Sequence, residues 1–509
     1  MSAKAIHPEA RHAVSGAMLM AAGHLLTAVV GVATSIVVPR VLGPSDYGHW
    51  IMYRSIITTM VVFCMLGTGE VMTYFFIPKL AAGEQRAAGQ IFKSVVLVRM
   101  LAIVVGAGAG FGMLMAAGGV LADPFYGLCL ALSTISQGIQ VSFLLLLYAQ
   151  RRFMAAASVN LLQAAVLPST AAVAYALQGW ALVPPGCALA DLFFAFYAAI
   201  LAQPQRVWAR GWLPLRDYRR LFRFGLAVAL SGILFNVFSN VVPYLMGLCG
   251  YAPSAVGYLG LGTRVSGFVL GALGSIAGAI WPTLSILYAR EGLDRVARWQ
   301  ALSTRFGALL VLLVLGEFLL IGPLAVPRVW GAAFGPVTAV MAVCLTGAFF
   351  LWTGGQRLRM LLLMGRPRMY LRAVIVLLAC FGVPFLALRP DAAGLHTAWS
   401  MLIGTVAYGL CGVLALEGRG GLRRMATTYL LPALAVAGAW WAGQGLTSPL
   451  PALAAAAGWG LGFVGLVFAC RIVRWHEVRN VWHTFRQAPP PAAGSPPEGG
   501  VPPEGGLPA

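Results

Sequence analysis

Fourteen apolar stretches recur along this chain, each of about 20 residues, the length a helix needs to cross ~30 Å of hydrocarbon. They fall at 14–38, 47–68, 94–118, 124–148, 154–178, 186–203, 225–249, 255–288, 306–326, 337–356, 370–388, 395–416, 427–445 and 452–470. The cations between them alternate in density. Of 35 Lys and Arg residues, 29 lie in the gaps on the side that holds both termini. Only Arg40, Arg328 and Arg389 lie on the other side, and Arg54, Arg99 and Arg264 lie within spans. A miscounted span would scramble this order. The positive-inside rule then predicts cytoplasmic N- and C-termini.

Composition excludes most other classes. Hydrophobic residues make up 60% of the chain, charged residues 10%, and mean hydropathy is +0.83, which is membrane-protein composition and leaves no soluble core. The net charge of +20 is spread over short loops, so it reads as topology and not as a nucleic-acid surface. The first span lacks a small-residue cleavage pattern, so no signal peptide is expected. Eight Cys are scattered without metal or redox spacing and read as small apolar fillers. The excess of Arg over Lys and the abundance of Ala and Gly fit a GC-rich bacterial genome; the expected location is a bacterial cytoplasmic membrane.

The loops are short except for the stretch around 204–224, which holds most of an Arg cluster. The expected organisation is a cytoplasmic N-terminus (1–13), a first lobe of spans 1–6 (14–203), an inter-lobe loop (204–224), a second lobe of spans 7–12 (225–416), and an added pair of spans (427–470). A cytoplasmic tail (471–509) follows, Pro/Gly-rich from about Gln487 and unable to bury a core. An internal repeat supports the two lobes. The first half carries G-P-S-D-Y-G at 43–48, then Arg54, then I-P-K-L at 77–80. The second carries A-P-S-A-V-G at 252–257, then Arg264, then W-P-T-L at 281–284. Six spans per copy is an even number, so both copies enter the membrane alike and are related by an axis along its normal.

Ionisable groups within spans are costly in hydrocarbon and mark candidate sites. Arg54 and Arg264 occupy matching places in spans 2 and 8. Facing one cleft, the pair would suit a phosphate or pyrophosphate, because a guanidinium fork binds phosphate oxygens bidentately; the alternative is carbonyl capping or snorkelling. Arg99, near the cytoplasmic end of span 3, reads either as a third head-group cation or as a snorkelling side chain. Glu317 in span 9 reads as a proton or sodium coupling site, a partner for a cavity Arg, or a hydrogen-bonded structural group. His24 in span 1 titrates near neutral pH when exposed but equally fits a structural role. Asp191 and Glu70 are expected close to span ends, within reach of solvent.

The absences narrow the function. The chain has no G-x-x-x-x-G-K-[ST] nucleotide loop. The outer loops hold Asp46, Asp123 and Asp391 apart from one another, which assembles no acid, base or metal site for catalysis. No enzyme, metal or cofactor is expected, beyond coupling to H+ or Na+.

Three stretches carry a family resemblance: V-P-R-V-L-G-P-S-D-Y-G-H-W at 38–50, L-F-R-F-G at 221–225, and V-G-Y-L-G-L-G-T-R-V at 256–265. Over roughly 11–475 the chain resembles the Wzx-type polysaccharide flippases of the multidrug/oligosaccharidyl-lipid/polysaccharide exporter (MOP) superfamily. The resemblance implies an all-α, V-shaped, MATE-like fold of two six-helix lobes around a cavity with alternating access. It implies a polyprenyl-pyrophosphate-linked oligosaccharide as substrate, membrane lipids as surroundings, and a polysaccharide polymerase or other assembly proteins as partners. Cations line the cavity in that family, a role Arg54 and Arg264 would fill. Many relatives carry an Asp in span 7 where this chain reads S-N-V-V-P-Y, with Asn240 and Pro243.

The leading expectation is therefore a flippase for exopolysaccharide, capsule or O-antigen assembly. A cation or drug antiporter of the same fold would place acidic residues in the cavity. A membrane glycosyltransferase or polymerase would need a large catalytic outer loop, and a scaffold would act through the Pro-rich tail.

Overall fold

A computed structural model describes residues 8–65, 68–81, 83–150, 152–208, 211–212, 214, 230–291, 293–364, 366–446, 448–470 and 472–473. The Pro-rich tail, the Arg-rich part of the inter-lobe loop from residue 215 and the first residues of span 7 lie outside them. Among the described residues every regular element is helical, and eleven helical stretches are long and apolar enough to cross a membrane.

The difference between eleven and fourteen has a local cause. Three of the stretches, Leu26–Met65, Phe153–Ala202 and Leu395–Gln444, run 40, 50 and 50 residues. At ~1.5 Å per residue each far exceeds a single passage. Each is broken by a glycine with positive φ: Gly43 at 72°, Gly179 at 65° and Gly418 at 65°. A side chain rarely adopts that conformation, so these glycines turn the chain between consecutive spans. Each of the fourteen expected spans finds a helix.

The helices are α1 (Pro8–Met65, bent at Gly43), α2 (Gln85–Ala117), α3 (Pro124–Ala149), α4 (Phe153–Gln178), α5 (Val183–Ala202), α6 (Leu230–Leu248), α7 (Pro253–Glu291), α8 (Leu293–Trp330), α9 (Val337–Leu363), α10 (Pro367–Ala387), α11 (Leu395–Gln444, bent at Gly418) and α12 (Pro449–Ala469). Local chemistry sets several ends. Asp123 caps α3, its carboxylate accepting from Phe125 N at 2.8 Å with Pro124 at the first helical position. Asp391 caps α11 by accepting from Leu395 N at 2.8 Å and His396 N at 3.2 Å. A π-turn at Val237–Val241 interrupts α6 just before Pro243, whose missing N–H and ring disfavour a regular helix there.

Helices α1–α5 form the first lobe and α6–α10 with the first arm of α11 form the second; the major contact between them is α1 on α7. That contact runs through the two copies of the repeat. A Cβ placed on Gly48 would stand 1.8 Å from the carbonyl oxygen of Pro253, and one on Gly257 would stand 2.4 Å from that of Pro44. The two contacts are reciprocal: the closing glycine of each motif receives the proline of the other. This is the signature of a two-fold relation between the lobes. Around it, Gly260 meets Ile51, Gly247 meets Met52, Gly31 meets Phe268, and Trp330 Nε1 donates to Ser35 O at 2.7 Å. Ser55 Oγ donates across the same seam to Asn240 O. A continuous buried apolar cluster, including Tyr47, Tyr53, Ile56, Val256, Leu259 and Phe334, fills this region.

The second arm of α11 and α12 attach to the outside of the second lobe. Trp459 on α12 covers Gly316 of α8 and donates from Nε1 to Leu313 O at 3.3 Å, while Gly443 sits against Leu319 O. Small residues at these crossings let the backbones approach closely.

Candidate functional site

The first lobe holds a buried ion pair. Arg54 lies on the second arm of α1, and its Nη1 donates to Asp191 Oδ2 on α5 at 2.9 Å. The other carboxylate oxygen of Asp191 accepts from Gln137 Nε2 on α3 at 2.9 Å. Asp191 is fully buried and the Arg54 side chain is 16% exposed. A carboxylate in such surroundings requires a partner charge and hydrogen bonds, and here side chains from two other helices supply them to one group. Farther along α3, Gln140 and Gln163 of α4 exchange amide hydrogen bonds at 2.8 and 3.2 Å. A polar seam thus runs along α3 inside an otherwise apolar lobe.

Asp191 therefore differs from the sequence expectation. A position five residues into its span places it near solvent, but Val183, Pro184, Cys187, Ala188 and Ala190 before it are buried in the lobe, and its own side chain is fully buried. Glu70 and His24 lie on described helices, but their side chains are outside the described residues.

Arg99 also differs from a snorkelling side chain. It is 3% exposed and donates from Nε to Thr68 Oγ1 and from Nη1 to Ser142 Oγ at 3.3 Å. It ties α2 to α3 and to the short helix Thr68–Val71. Both of these bonds go to hydroxyls inside the first lobe.

Arg264 stands in a different setting from its repeat counterpart. It projects from α7 over the ring of Trp50 on α1, with its guanidinium carbon 5.3 Å from the ring centroid. The indole face attracts the cation, and the contact crosses from one lobe to the other. Trp50 is 3% exposed and stacks on Tyr47 at 5.7 Å. So the structure does not bring Arg54 and Arg264 together as a matched pair: the first is neutralised within its lobe, and the second bridges the lobes.

Glu317 is placed on α8 against α12, where a Cβ on Gly460 would stand 2.9 Å from its Oε1. None of the ion pairs among the described residues includes it. Neither Arg54 nor Arg264 is its partner. No group of three or more His, Cys, Asp or Glu able to hold a metal occurs among the described residues.

The Gly43 end of the bundle carries a further polar cluster. Asp46, inside the first repeat motif, accepts from Tyr175 Oη at 2.6 Å and lies 3.3 Å from His49 Nδ1, and the His49 ring rests 5.7 Å from that of Trp180. This cluster fixes the turn of α1 onto the α4–α5 turn.

Sequence reasoning missed Gln137, Trp50 and the hydroxyl partners of Arg99. A signal for the first was available: S-T-I-S-Q-G-I-Q-V-S at 133–142 is a polar run in the middle of an apolar span. Trp50 carried none, since a tryptophan near a span end reads as an interfacial anchor.

Solved structures of similar architecture include a lipid flippase and MATE transporters. The lipid II flippase MurJ in an inward closed conformation superposes with a TM-score of 0.69 at 10% identity, covering 90% of this chain and 100% of that one. A point mutant of the Vibrio cholerae MATE transporter VcmN gives 0.58 at 15% identity over 82% of this chain and 97% of that one. A MOP superfamily transporter from Pyrococcus furiosus, described as having a binding pocket of reverse polarity, gives 0.56 at 14% identity over 82% and 96%. No family model matches the chain, and no curated protein matches it. At these identities the likeness is one of architecture, and by it the chain has the MATE-like α-helical membrane fold.

Proposed function

We propose that the chain is a multi-pass transporter that flips a polyprenyl-pyrophosphate-linked oligosaccharide from the cytoplasmic to the outer leaflet of a bacterial inner membrane. The product would feed exopolysaccharide, capsule or O-antigen assembly. The observation that carries this reading is Arg264, a guanidinium held between the lobes on the face of Trp50. A sugar head group cannot cross hydrocarbon unaided, and a cation at the junction of two rocking lobes can hold its pyrophosphate while the lipid tail stays in the bilayer. Arg fits that role better than Lys because its planar fork matches phosphate oxygens. The whole-length likeness to a structure named as a lipid II flippase supports the same substrate class.

In this reading the repeat motifs at 43–48 and 252–257 close the outer ends of the lobes, as the distribution of Lys and Arg orients them. The lobes meet through Pro44, Gly48, Pro253 and Gly257, which on this orientation would be an arrangement closed on the outer side. Release outside requires these contacts to part. Asp191, held by Arg54 and Gln137, is the candidate coupling group, and it would act by giving up Arg54: exchange of that guanidinium for a coupling cation would release α5 from the second arm of α1. Glu317, seated against α12, is the weaker candidate for coupling.

The test is leaflet-resolved movement of a labelled polyprenyl-pyrophosphate oligosaccharide in liposomes carrying the purified protein. Transbilayer movement in the wild type that falls at least tenfold in Arg264→Ala supports the reading. Movement equal to that of empty liposomes removes it.

A second reading is a cation or drug antiporter, favoured by one observation: the fully buried carboxylate of Asp191. It requires that carboxylate to be available to a cationic ligand, whereas Arg54 already neutralises it. Uptake of a cationic dye that drives proton efflux and is lost in Asp191→Asn would favour this reading over the flippase.

A further inference from the structure

The start of the inter-lobe loop folds back onto the first lobe and builds a cleft there. Gln203 adopts the left-handed conformation at φ 46° and turns the chain out of α5 into a 3-10 turn at Pro204–Arg206. Trp208 then meets Phe92 of α2 edge-on at 6.2 Å. Gly211, at φ 91°, approaches Gln90 closely enough that a Cβ would stand 3.1 Å from its Nε2. Lys93 on α2 places its Nζ 3.8 Å from the ring centroid of Trp212 and 6.0 Å from that of Trp208. These groups bound an open cleft of about 720 Å³ lined by Lys93, Val96, Phe143, Pro204, Gln205 and Trp208.

The lining has the chemistry of a membrane interface. Among the described residues no carboxylate forms an ion pair with Lys93, and its Nζ faces the indoles of Trp208 and Trp212. Trp208 and Trp212 are each about half exposed, at 50% and 52%, and indoles settle at the headgroup level of bilayers. Below the cation, the same face of α2 continues as an apolar stripe. Leu97, Leu101, Val104 and Val105 follow Lys93 at helical spacing and are 42%, 62%, 64% and 73% exposed.

We propose that this cleft is a binding site for an anionic membrane phospholipid. The phosphate rests on Lys93 between Trp208 and Trp212, the glycerol on Gln205, and an acyl chain along Leu97, Leu101 and Val105. Charge decides the occupant: a zwitterionic lipid brings its own cation and gains nothing from Lys93, whereas an anionic one gains a partner. A lipid seated there ties the inter-lobe linker to the first lobe, so the site lies where the membrane can influence how the lobes move. The site is separate from Arg264 and stands whether or not the substrate proposed above is right.

The experiment is native mass spectrometry of the full-length protein in detergent, titrated with phosphatidylglycerol or phosphatidylcholine. The wild type is expected to retain one phosphatidylglycerol in preference to phosphatidylcholine. Lys93→Gln should lower phosphatidylglycerol occupancy about fivefold, the loss expected for one interfacial cation, and leave phosphatidylcholine unchanged. Lys93→Arg should keep the preference, which separates loss of charge from loss of fold. Equal retention of the two lipids by the wild type, or equal retention of phosphatidylglycerol by Lys93→Gln, overturns the proposal. So does displacement of the lipid by millimolar glycerol phosphate, which would make this a site for free phosphate esters. Loss of the lipid in Lys93→Arg as complete as in Lys93→Gln overturns it as well.

Discussion

Gly257 rests against Pro44 so closely that a methyl group on it would stand 2.4 Å from the proline's carbonyl oxygen, and Gly48 rests on Pro253 in the same way at 1.8 Å. Both obstacles are backbone, which cannot rotate aside. Gly48→Ala and Gly257→Ala should therefore each push the lobes apart at this end, at a cost of about 1–3 kcal/mol to the closed arrangement. Spin labels placed across the seam should report longer and broader distances in either variant. Unchanged distances would mean that the contact is not what holds the lobes together.

The Arg54–Asp191 pair lends itself to a double-mutant cycle. Removing one partner leaves an uncompensated charge in the first lobe, expected to cost about 3–5 kcal/mol, whereas replacing both with apolar residues costs much less. Arg54→Leu and Asp191→Leu should each lower the thermal midpoint in detergent strongly, and the double variant should recover most of the loss. Gln137→Leu should act in the same direction but more weakly, since it removes one hydrogen bond to the carboxylate. Additive losses in the cycle would show that the two side chains are not coupled.

How far the sequence could lead is clear from these residues. The spans, the two lobes and the Gly–Pro motifs were legible because membrane thickness, cation asymmetry and the repeat are written locally along the chain. Even the apparent shortfall in helices followed from glycines at 43, 179 and 418, which turn the chain between consecutive spans with no loop between them. What stayed hidden was side-chain direction. Arg54 and Arg264 occupy equivalent places in the repeat, yet one turns into its lobe and the other across the seam. The partner of Arg54 is 137 residues away, and its choice depends on how α1 and α5 are rotated about their axes. No local pattern in the sequence distinguishes the two arginines. The setting of Arg99 is hidden for a related reason: its hydroxyl partners Thr68 and Ser142 come from two other elements.

The contact between Arg264 and Trp50 should be separable into charge and stacking. Trp50→Leu removes the ring and keeps the cation, and a cation–π contact is worth about 0.5–2 kcal/mol. On the proposed flippase reading, if the contact positions Arg264, flipping should fall by roughly twofold to thirtyfold. Arg264→Lys keeps the charge but loses the planar fork, so the proposed pyrophosphate head group should bind less tightly while protein stability stays near that of the wild type. Measuring flipping rate against head-group concentration distinguishes the two. A raised half-saturation in Arg264→Lys with an unchanged maximal rate is the expected result. A variant indistinguishable from wild type would take Arg264 out of substrate binding.

The attachment of α12 offers a test of side-chain fit. A Cβ on Gly316 would stand 2.3 Å from the Trp459 ring, so Gly316→Ala must displace the indole and break its bond to Leu313 O. The cost should be about 1–3 kcal/mol. Trp459→Leu alone should also destabilise, by leaving a cavity beside Gly316 and losing contact with Phe463. Combined, the two changes relieve each other: the added methyl occupies part of the space the indole left. The double variant should be more stable than the sum of the single losses predicts, by at least about 0.5 kcal/mol, the lower end of coupling for residues in contact. The readout is the thermal midpoint of each variant in one detergent. Simple additivity would indicate that α12 moves off α8 as a unit and that Trp459 does not fix its position.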